Sequence, residues 1–445
     1  MKVLVLVDGE HYPAVTRWGI ETARAKGLDA VAALIVGGTE KLGSGEAMDL
    51  GIPLRRGEVD PMAALAAAID ELRPQGLDAV LDMSDEPVLG YRERMELASV
   101  CLARGLSYLG GDFRLDPPID GPPLEVPTVA VIGTGKRTGK TALGGEVART
   151  AAAIGLDPVI VAMGRGGPPE PQVARAGTVT VEFLLDLVRR GDHAASDYLE
   201  DAVTTGVTTI GARRAGGGLA GRPVATNVRE AAELAVSMDP GVVVLEGSGS
   251  AVPPVPWDAG ILVVPAGLPE EYLAGYLGPL RLLLSDLVVV TMADSPAGLE
   301  NLPALRSHVK RLSGDARLIV TDFNPQPLGD VEGKDVFFTT TAPGEVAARQ
   351  AGSLEQNHGC RVVGWSAHLA DRTELASEMD GAPGYDVLLT ELKAAAIDVA
   401  CDRALARGAQ VVFVDNRAFA LEGEPDLGTV LRETIELAIE RKSRR

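Results

Sequence analysis

Between Thr128 and Thr141 the chain reads TVAVIGTGKRTGKT, and no other stretch limits its fold so tightly. An apolar run too short for a helix ends in a glycine-rich turn, and Gly139-Lys140-Thr141 then opens the helix-forming stretch ALGGEVARTAAA. Strand, turn and helix in that order bring free backbone N–H groups and the positive end of a helix dipole to one point, which makes a seat for phosphate. Lys140 is spaced to reach the terminal phosphates of a nucleotide, and Thr141 to hold Mg²⁺. The usual G-x-x-x-x-G-K-[ST] pattern has glycine where this chain has Thr134, while Gly133 and Gly135 flank it and Lys136-Arg137 adds two cations. The loop is therefore a variant one. A dinucleotide fingerprint fits less well, since the third glycine of G-x-G-x-x-G falls on Thr138. The expected nucleotide contacts are Gly135, Lys136, Arg137, Thr138, Gly139, Lys140 and Thr141.

The rest of the chain repeats a related rhythm: a short apolar run, a turn, then an Ala/Leu/Glu/Arg-rich helical stretch. Apolar runs buried on both faces belong to parallel sheets covered by helices. Val3–Val7, Ala30–Ile35, Asp78–Leu81 and Ser107–Leu109 read as strands of a first, Rossmann-like unit. Asp116–Pro127, DPPIDGPPLEVP, holds five prolines and ends that unit. A second series begins at Thr128–Ile132 and runs through Val159–Ala162, Val242–Leu245, Ile261–Val264, Leu287–Thr291 and Leu318–Thr321. A third group follows at Val336–Thr339, Arg361–Val363, Asp386–Leu389 and Val411–Val414. The expected class is α/β: an N-terminal parallel-sheet domain (1–122), a doubly wound ATP-binding domain of P-loop type (123–330), and a C-terminal α/β portion (331–445). Three domains suit 445 residues. Whether the last portion is a separate domain or extends the second sheet is open at this level. A polar Gly/Arg/Thr-rich insertion, 164–222, separates the second and third strands of the middle domain, and so long a connection suggests a binding surface.

Charge narrows the partners. Lys+Arg 42 against Asp+Glu 62 gives a net charge of -20, a poor match for nucleic acid or an anionic membrane. An anionic ligand must then meet a local basic pocket. Cys101, Cys360 and Cys401 stand far apart without CxxC, which argues against a zinc or disulfide framework. MKVLVLVDGE lacks the apolar length of a signal sequence and reads as a first strand, so a cytoplasmic location is expected.

Charged residues just past strand ends are the other candidates, because ligands of open α/β sheets bind there. Glu246 closes the strand VVVLE before GSGS, where a P-loop protein places its Mg²⁺-holding acid. Arg165 follows the second strand, and the insertion adds His193 and Arg213-Arg214 beside three glycines. An arginine fork suits phosphate or carboxylate. Asp8, Glu10 and His11 bunch after the first strand, where they suit substrate hydroxyls, or simply a capped turn. Lys393, in TELK, opens an expected Ala-rich helix, and Asp415-Asn416-Arg417 repeats the pattern.

VLVDGEHYP, GTGKRTGKT, LEGSGS, HAASDYLEDA, GKDVFFTTTAP and LLTELKAAAIDVA together resemble the cyclic 2,3-diphosphoglycerate synthetase family over nearly the whole chain. The resemblance implies a soluble, Mg²⁺-dependent homodimer. It further implies a two-step reaction with ATP: 2-phosphoglycerate is phosphorylated to 2,3-diphosphoglycerate, and an intramolecular phosphoanhydride is then closed. It implies catalytic roles for Lys140, Arg165 and Glu246, with Thr141 and Glu246 on the metal. Asp8, His11, Arg165, His193, Arg213, Arg214 and Lys393 are the expected substrate contacts. At Thr321-Asp322-Phe323-Asn324-Pro325 the family pattern has a basic residue where this chain has Asn324. Two other readings fit a P-loop chain. One is a ligase that activates a carboxylate for C–N bond formation, since EGSGS is similar to the EGAGG of dethiobiotin synthetases and Mur-type ligases. The other is a non-catalytic nucleotide switch.

Overall fold

The computed structural model describes residues 1–39, 48–294, 296–314 and 316–445, with the side chains of Pro296 and Ala297 outside the description. The N-terminal strands are β1 (Lys2–Val7), β2 (Asp29–Ile35), β3 (Leu54–Arg56), β4 (Ala79–Asp82), β5 (Ser107–Leu109) and β6 (Arg114–Leu115). They form one sheet in the order 3-2-1-4-5-6, parallel except for β6. This order is doubly wound. Val3, Val5 and Val7 face one helical layer while Leu4 and Leu6 face the other, and all five are buried. That is why the run is apolar at every position rather than alternating.

The middle of the chain supplies β7 (Thr128–Gly133), β8 (Pro158–Gly164), β9 (Gln172–Ala174), β10 (Thr209–Ala215), β11 (Ala225–Thr226), β12 (Val242–Glu246), β13 (Ala259–Pro265) and β14 (Leu287–Thr291). β15 (Arg317–Pro327), β16 (Asp335–Thr339), β17 (Arg361–Ser366), β18 (Val387–Glu391) and β19 (Gln410–Ala420) complete the set. These join in a second sheet whose main path runs 11-10-8-12-7-13-14-15-19-18-16-17, with β9 beside β10. The C-terminal portion therefore extends the second sheet. The insertion is not one long loop. It contributes β9, β10 and the helices Val181–Arg189 and Asp197–Thr205, and β11 follows it.

The joint between β15 and β19 decides where the two halves of this sheet meet. Arg317–Val320 pairs parallel with β14, whereas Thr321–Pro327 pairs antiparallel with Val414–Ala420. β18 runs parallel to β19 and stops at Glu391, level with Val414 and thus with Pro327. The carboxyl ends of the C-terminal strands consequently point at the carboxyl ends of the P-loop strands. Six residue steps separate Thr321 from Pro327, so the ribbon holds these edges about 20 Å apart. Insertion helices fill much of the gap. Leu184, Leu185 and Leu199 share one core with Leu375, Met379 and Ile397 of the C-terminal lobe. The N-terminal domain docks elsewhere, with Leu97 packed in a common core with Leu277 and Leu280.

Candidate active site

The phosphate loop hangs between β7 and the helix Lys140–Ala153. The Thr291 hydroxyl donates to the Thr138 carbonyl at 2.8 Å, fixing the loop to the end of β14. Arg137 takes a left-handed φ of 55°, a strained choice for a residue with a Cβ and typical of functional turns. Thr134, where the usual pattern has glycine, carries a buried hydroxyl with no hydrogen-bond partner. Lys140 Nζ donates to Gly135 O at 2.7 Å and to Thr138 Oγ1 at 3.2 Å. Burial pushes its ammonium down to about 8, while Asp197 and Glu246 favour the charged form.

Glu246 ends β12, beside β7, and is 3 % exposed. Its Oε1 has no hydrogen-bond partner. The carboxyl leans over Gly144 of the P-loop helix so closely that a Cβ there would lie 1.7 Å from Oε1. Glycine is the residue that leaves this room. Asp201 is wholly buried nearby; no N–H donor reaches its oxygens, and its carboxyl lies within hydrogen-bonding reach of Glu246. Burial, and then the neighbouring carboxylates, push both of these groups well above the ordinary carboxylate range.

Asp201 shares a helix face with Asp197 and Glu200, at spacing i, i+3, i+4. Asp197 is the centre of the cluster. Burial raises its pKa, while Lys393, Lys140, His193 and Arg165 all draw it toward the ionised form. Three cations and a histidine expected from sequence, lying in three separate segments, thus act on one carboxylate. Glu200 lies 3.2 Å from Lys393 Nζ, yet burial still pushes it up to about 7. Lys393 is raised, first by Glu200. It does not open a regular helix as expected. Its N–H bonds to Glu391 O at 3.0 Å, Ala394 has a φ of 47°, and a single π-helical turn, Ala396–Cys401, follows. Such backbone persists where the surroundings over-determine it. Below it Glu391 accepts from Thr340 Oγ1, Thr341 N, Thr341 Oγ1 and Asn416 Nδ2 at 2.7–3.0 Å.

Arg214 comes from the end of β10 and donates to Ser248 O at 2.9 Å; burial and then Arg165 push its pKa down. Its neighbour Arg213 points elsewhere, bracing the loop after β8 through Gly167 O at 2.7 Å. Asp8 and His11 lie in the other sheet. One Asp8 oxygen accepts from Glu10 N, His11 N and His11 Nδ1, and the other from Asp85 N, so the carboxylate is consumed within its own domain. Asn324 stands directly across the ladder from Arg417, which bonds Glu146 of the P-loop helix at 2.5 Å. The cysteines are free and buried. Asp197, Glu200 and Asp201 were not singled out from the sequence, although D-Y-L-E-D after a serine cap carries the one-face spacing.

The unpartnered Glu246 oxygen, at the strand beside the first turn that bears Thr141, fits a hard cation such as Mg²⁺. Among the described residues no group of three His, Cys, Asp or Glu side chains is disposed around a metal. Such a cation would therefore draw its other ligands from nucleotide phosphates and water, the usual way with Mg²⁺. No helix among the described residues is long and apolar enough to cross a membrane.

Comparison with known proteins fits this geometry. Residues 2–116, 128–322 and 327–417 match, in that order, the N-terminal domain, the P-loop domain and the C-terminal domain of cyclic 2,3-diphosphoglycerate synthetase. A Rubrobacter xylanophilus protein of that name is 47% identical over 420 residues, covering 94% of each chain. Its namesake from Methanothermobacter thermautotrophicus is 41% identical over 448 residues, covering 98% of this chain and 96% of its own. The one from Methanothermus fervidus is 40% identical over 450 residues, covering 99% and 98%.

Proposed function

The chain belongs to the cyclic 2,3-diphosphoglycerate synthetase family, and on that premise we propose that it uses ATP and Mg²⁺ to close 2,3-diphosphoglycerate into its cyclic phosphoanhydride. The observation that carries the reading is that Lys140, Arg165, His193 and Lys393 all act on Asp197, in a chain of net charge -20. A nucleotide and a polyanion that must approach each other require such a local reversal of sign. Catalysis is then positioning and charge neutralisation.

In the proposed sequence a phosphate oxygen of the substrate attacks the γ-phosphorus of ATP, the bond to ADP breaks, and the substrate carries a diphosphate. The neighbouring phosphate then attacks the inner phosphorus and expels inorganic phosphate, leaving the P–O–P ring. Lys140 neutralises the γ-phosphate during transfer. Thr141 and Glu246 would hold Mg²⁺, which supplies Lewis-acid charge at the phosphates. Lys393, from the other lobe, neutralises substrate charge, and His193, from the insertion, hydrogen-bonds a substrate oxygen.

The preceding step, phosphorylation of 2-phosphoglycerate, is favoured by Asp197. A hydroxyl nucleophile must lose a proton, and a carboxylate among phosphate-binding cations is placed to take it. Ring closure has no hydroxyl proton to remove. ADP release measured with 2,3-diphosphoglycerate, with 2-phosphoglycerate, with unrelated phosphate esters and with amines tests the reading. Release specific to the phosphoglycerates supports it. Equal stimulation by any phosphate ester contradicts it, and dependence on an amine would point to the C–N ligase reading.

A further inference from the structure

We propose that the turn Ser248–Ala251 is a second anion seat, distinct from the nucleotide's seat at Lys140, that takes a phosphate of the substrate. This rests on the substrate reading above and sorts its cations into two groups. Ser248 and Ala251 bond each other through N–H and C=O at 3.0 and 3.2 Å, leaving Gly249 and Ser250 at the tip. Gly249 has a φ of 59°, and a Cβ placed on it would lie 3.3 Å from Arg214 Nη2, 3.6 Å from Arg165 Nη2 and 3.7 Å from Lys136 Cγ. Three cationic side chains from three segments meet over one glycine.

Behind the turn, Arg281 is 7% exposed and donates to Ser250 O at 2.6 Å and to Leu277 O at 2.9 Å. Both of its recorded acceptors are carbonyls, and its Nε is buried without a partner, as is Arg214 Nε. A guanidinium this buried is costly to desolvate unless something negative compensates it. None of Lys136, Arg165, Arg214 and Arg281 forms an ion pair among the described residues, although ion pairs are frequent elsewhere in this acidic chain. Asp197 is the opposing charge that both Arg165 and Arg214 feel. Lys140, in contrast, turns to its own loop through Gly135 O and Thr138 Oγ1. Lys136 therefore goes to the substrate's seat rather than to the nucleotide's, as first expected. A phosphate monoester dianion, with oxygens for several forked donors, suits the turn.

The test is calorimetric titration of the full-length protein with a non-hydrolysable ATP analogue, then of the analogue-saturated protein with 2,3-diphosphoglycerate and with inorganic pyrophosphate. Lys136→Met, an exposed change that spares the fold, and Arg214→Met are each expected to weaken 2,3-diphosphoglycerate by about tenfold or more, in line with a lost charge-assisted hydrogen bond. The analogue's affinity should change by less than about threefold. Equal weakening of both ligands, or weakening of the analogue alone, would overturn the second seat while leaving the substrate reading intact. Should the wild type take pyrophosphate but no 2,3-diphosphoglycerate, and Lys136→Met lose the pyrophosphate, the seat stands and the substrate reading falls. Binding of neither anion by the analogue-saturated wild type would overturn the seat.

Discussion

Asp8 stands just past β1 and Asp197 opens a helix of the insertion; both lie near a histidine and both are largely enclosed by protein. They differ in what satisfies them. Asp8 is closed by three backbone N–H groups and one imidazole nitrogen, all from its own domain. Asp197 is surrounded by Lys140, Lys393, His193 and Arg165, and its neighbour Asp201 meets no N–H donor. A carboxylate whose valences are filled by its own turn builds structure. One placed among cations from several segments, beside a carboxyl that no N–H reaches, is placed for chemistry.

Four changes sharpen or break this contrast. Lys140→Ala should lower turnover with ATP by about 10³-fold while circular dichroism stays native, because it removes a preorganised charge from the transferring phosphoryl group. A folded variant with full activity would dissolve the P-loop side of the comparison. Asp197→Asn should lower phosphorylation of 2-phosphoglycerate by about 10²-fold and leave closure of supplied 2,3-diphosphoglycerate within a few-fold. Equal losses in both assays would make Asp197 a structural residue like Asp8. The pH profile gives a third, smaller effect. Burial lowers Lys140 to about 8, so its charged form prevails below that pH and is lost above it. kcat/KM for ATP should therefore fall about tenfold per pH unit above about 8, and a rate still climbing at high pH would contradict it. Smallest of all, Asp8→Asn should cost about 1–2 kcal/mol in denaturant unfolding and change activity by less than about twofold.

Much of this was legible in the sequence where local spacing carries the signal. TVAVIGTGKRTGKT specified strand, loop and helix, and VVVLE marked the end of β12 at Glu246. Arg165, His193, Arg214 and Lys393 drew notice because they follow strands or sit in a loop too rich in glycine to be filler. Their meeting was not legible. It depends on two strands, β15 and β19, that change from parallel to antiparallel partners midway and turn the last lobe back over the P-loop edge, a long-range pairing without a local code. Asp197, Glu200 and Asp201 carried a helical spacing that also suits a solvated face. Arg281 carried no local signal, since burial of an arginine against carbonyls has no pattern of its own. Asp8 and His11 were placed correctly at a strand end, and only the hydrogen bonds reveal that their capacity is already used.

The central claim is that two facing sheet edges hold a nucleotide and a doubly phosphorylated acid for ring closure. Phosphorus NMR of the purified protein with Mg-ATP and 2,3-diphosphoglycerate tests it most directly. The account predicts a mutually coupled pair of new anhydride-type signals, growing in step with ADP and inorganic phosphate. ADP and phosphate appearing with the two phosphate ester signals of the substrate unchanged would contradict it.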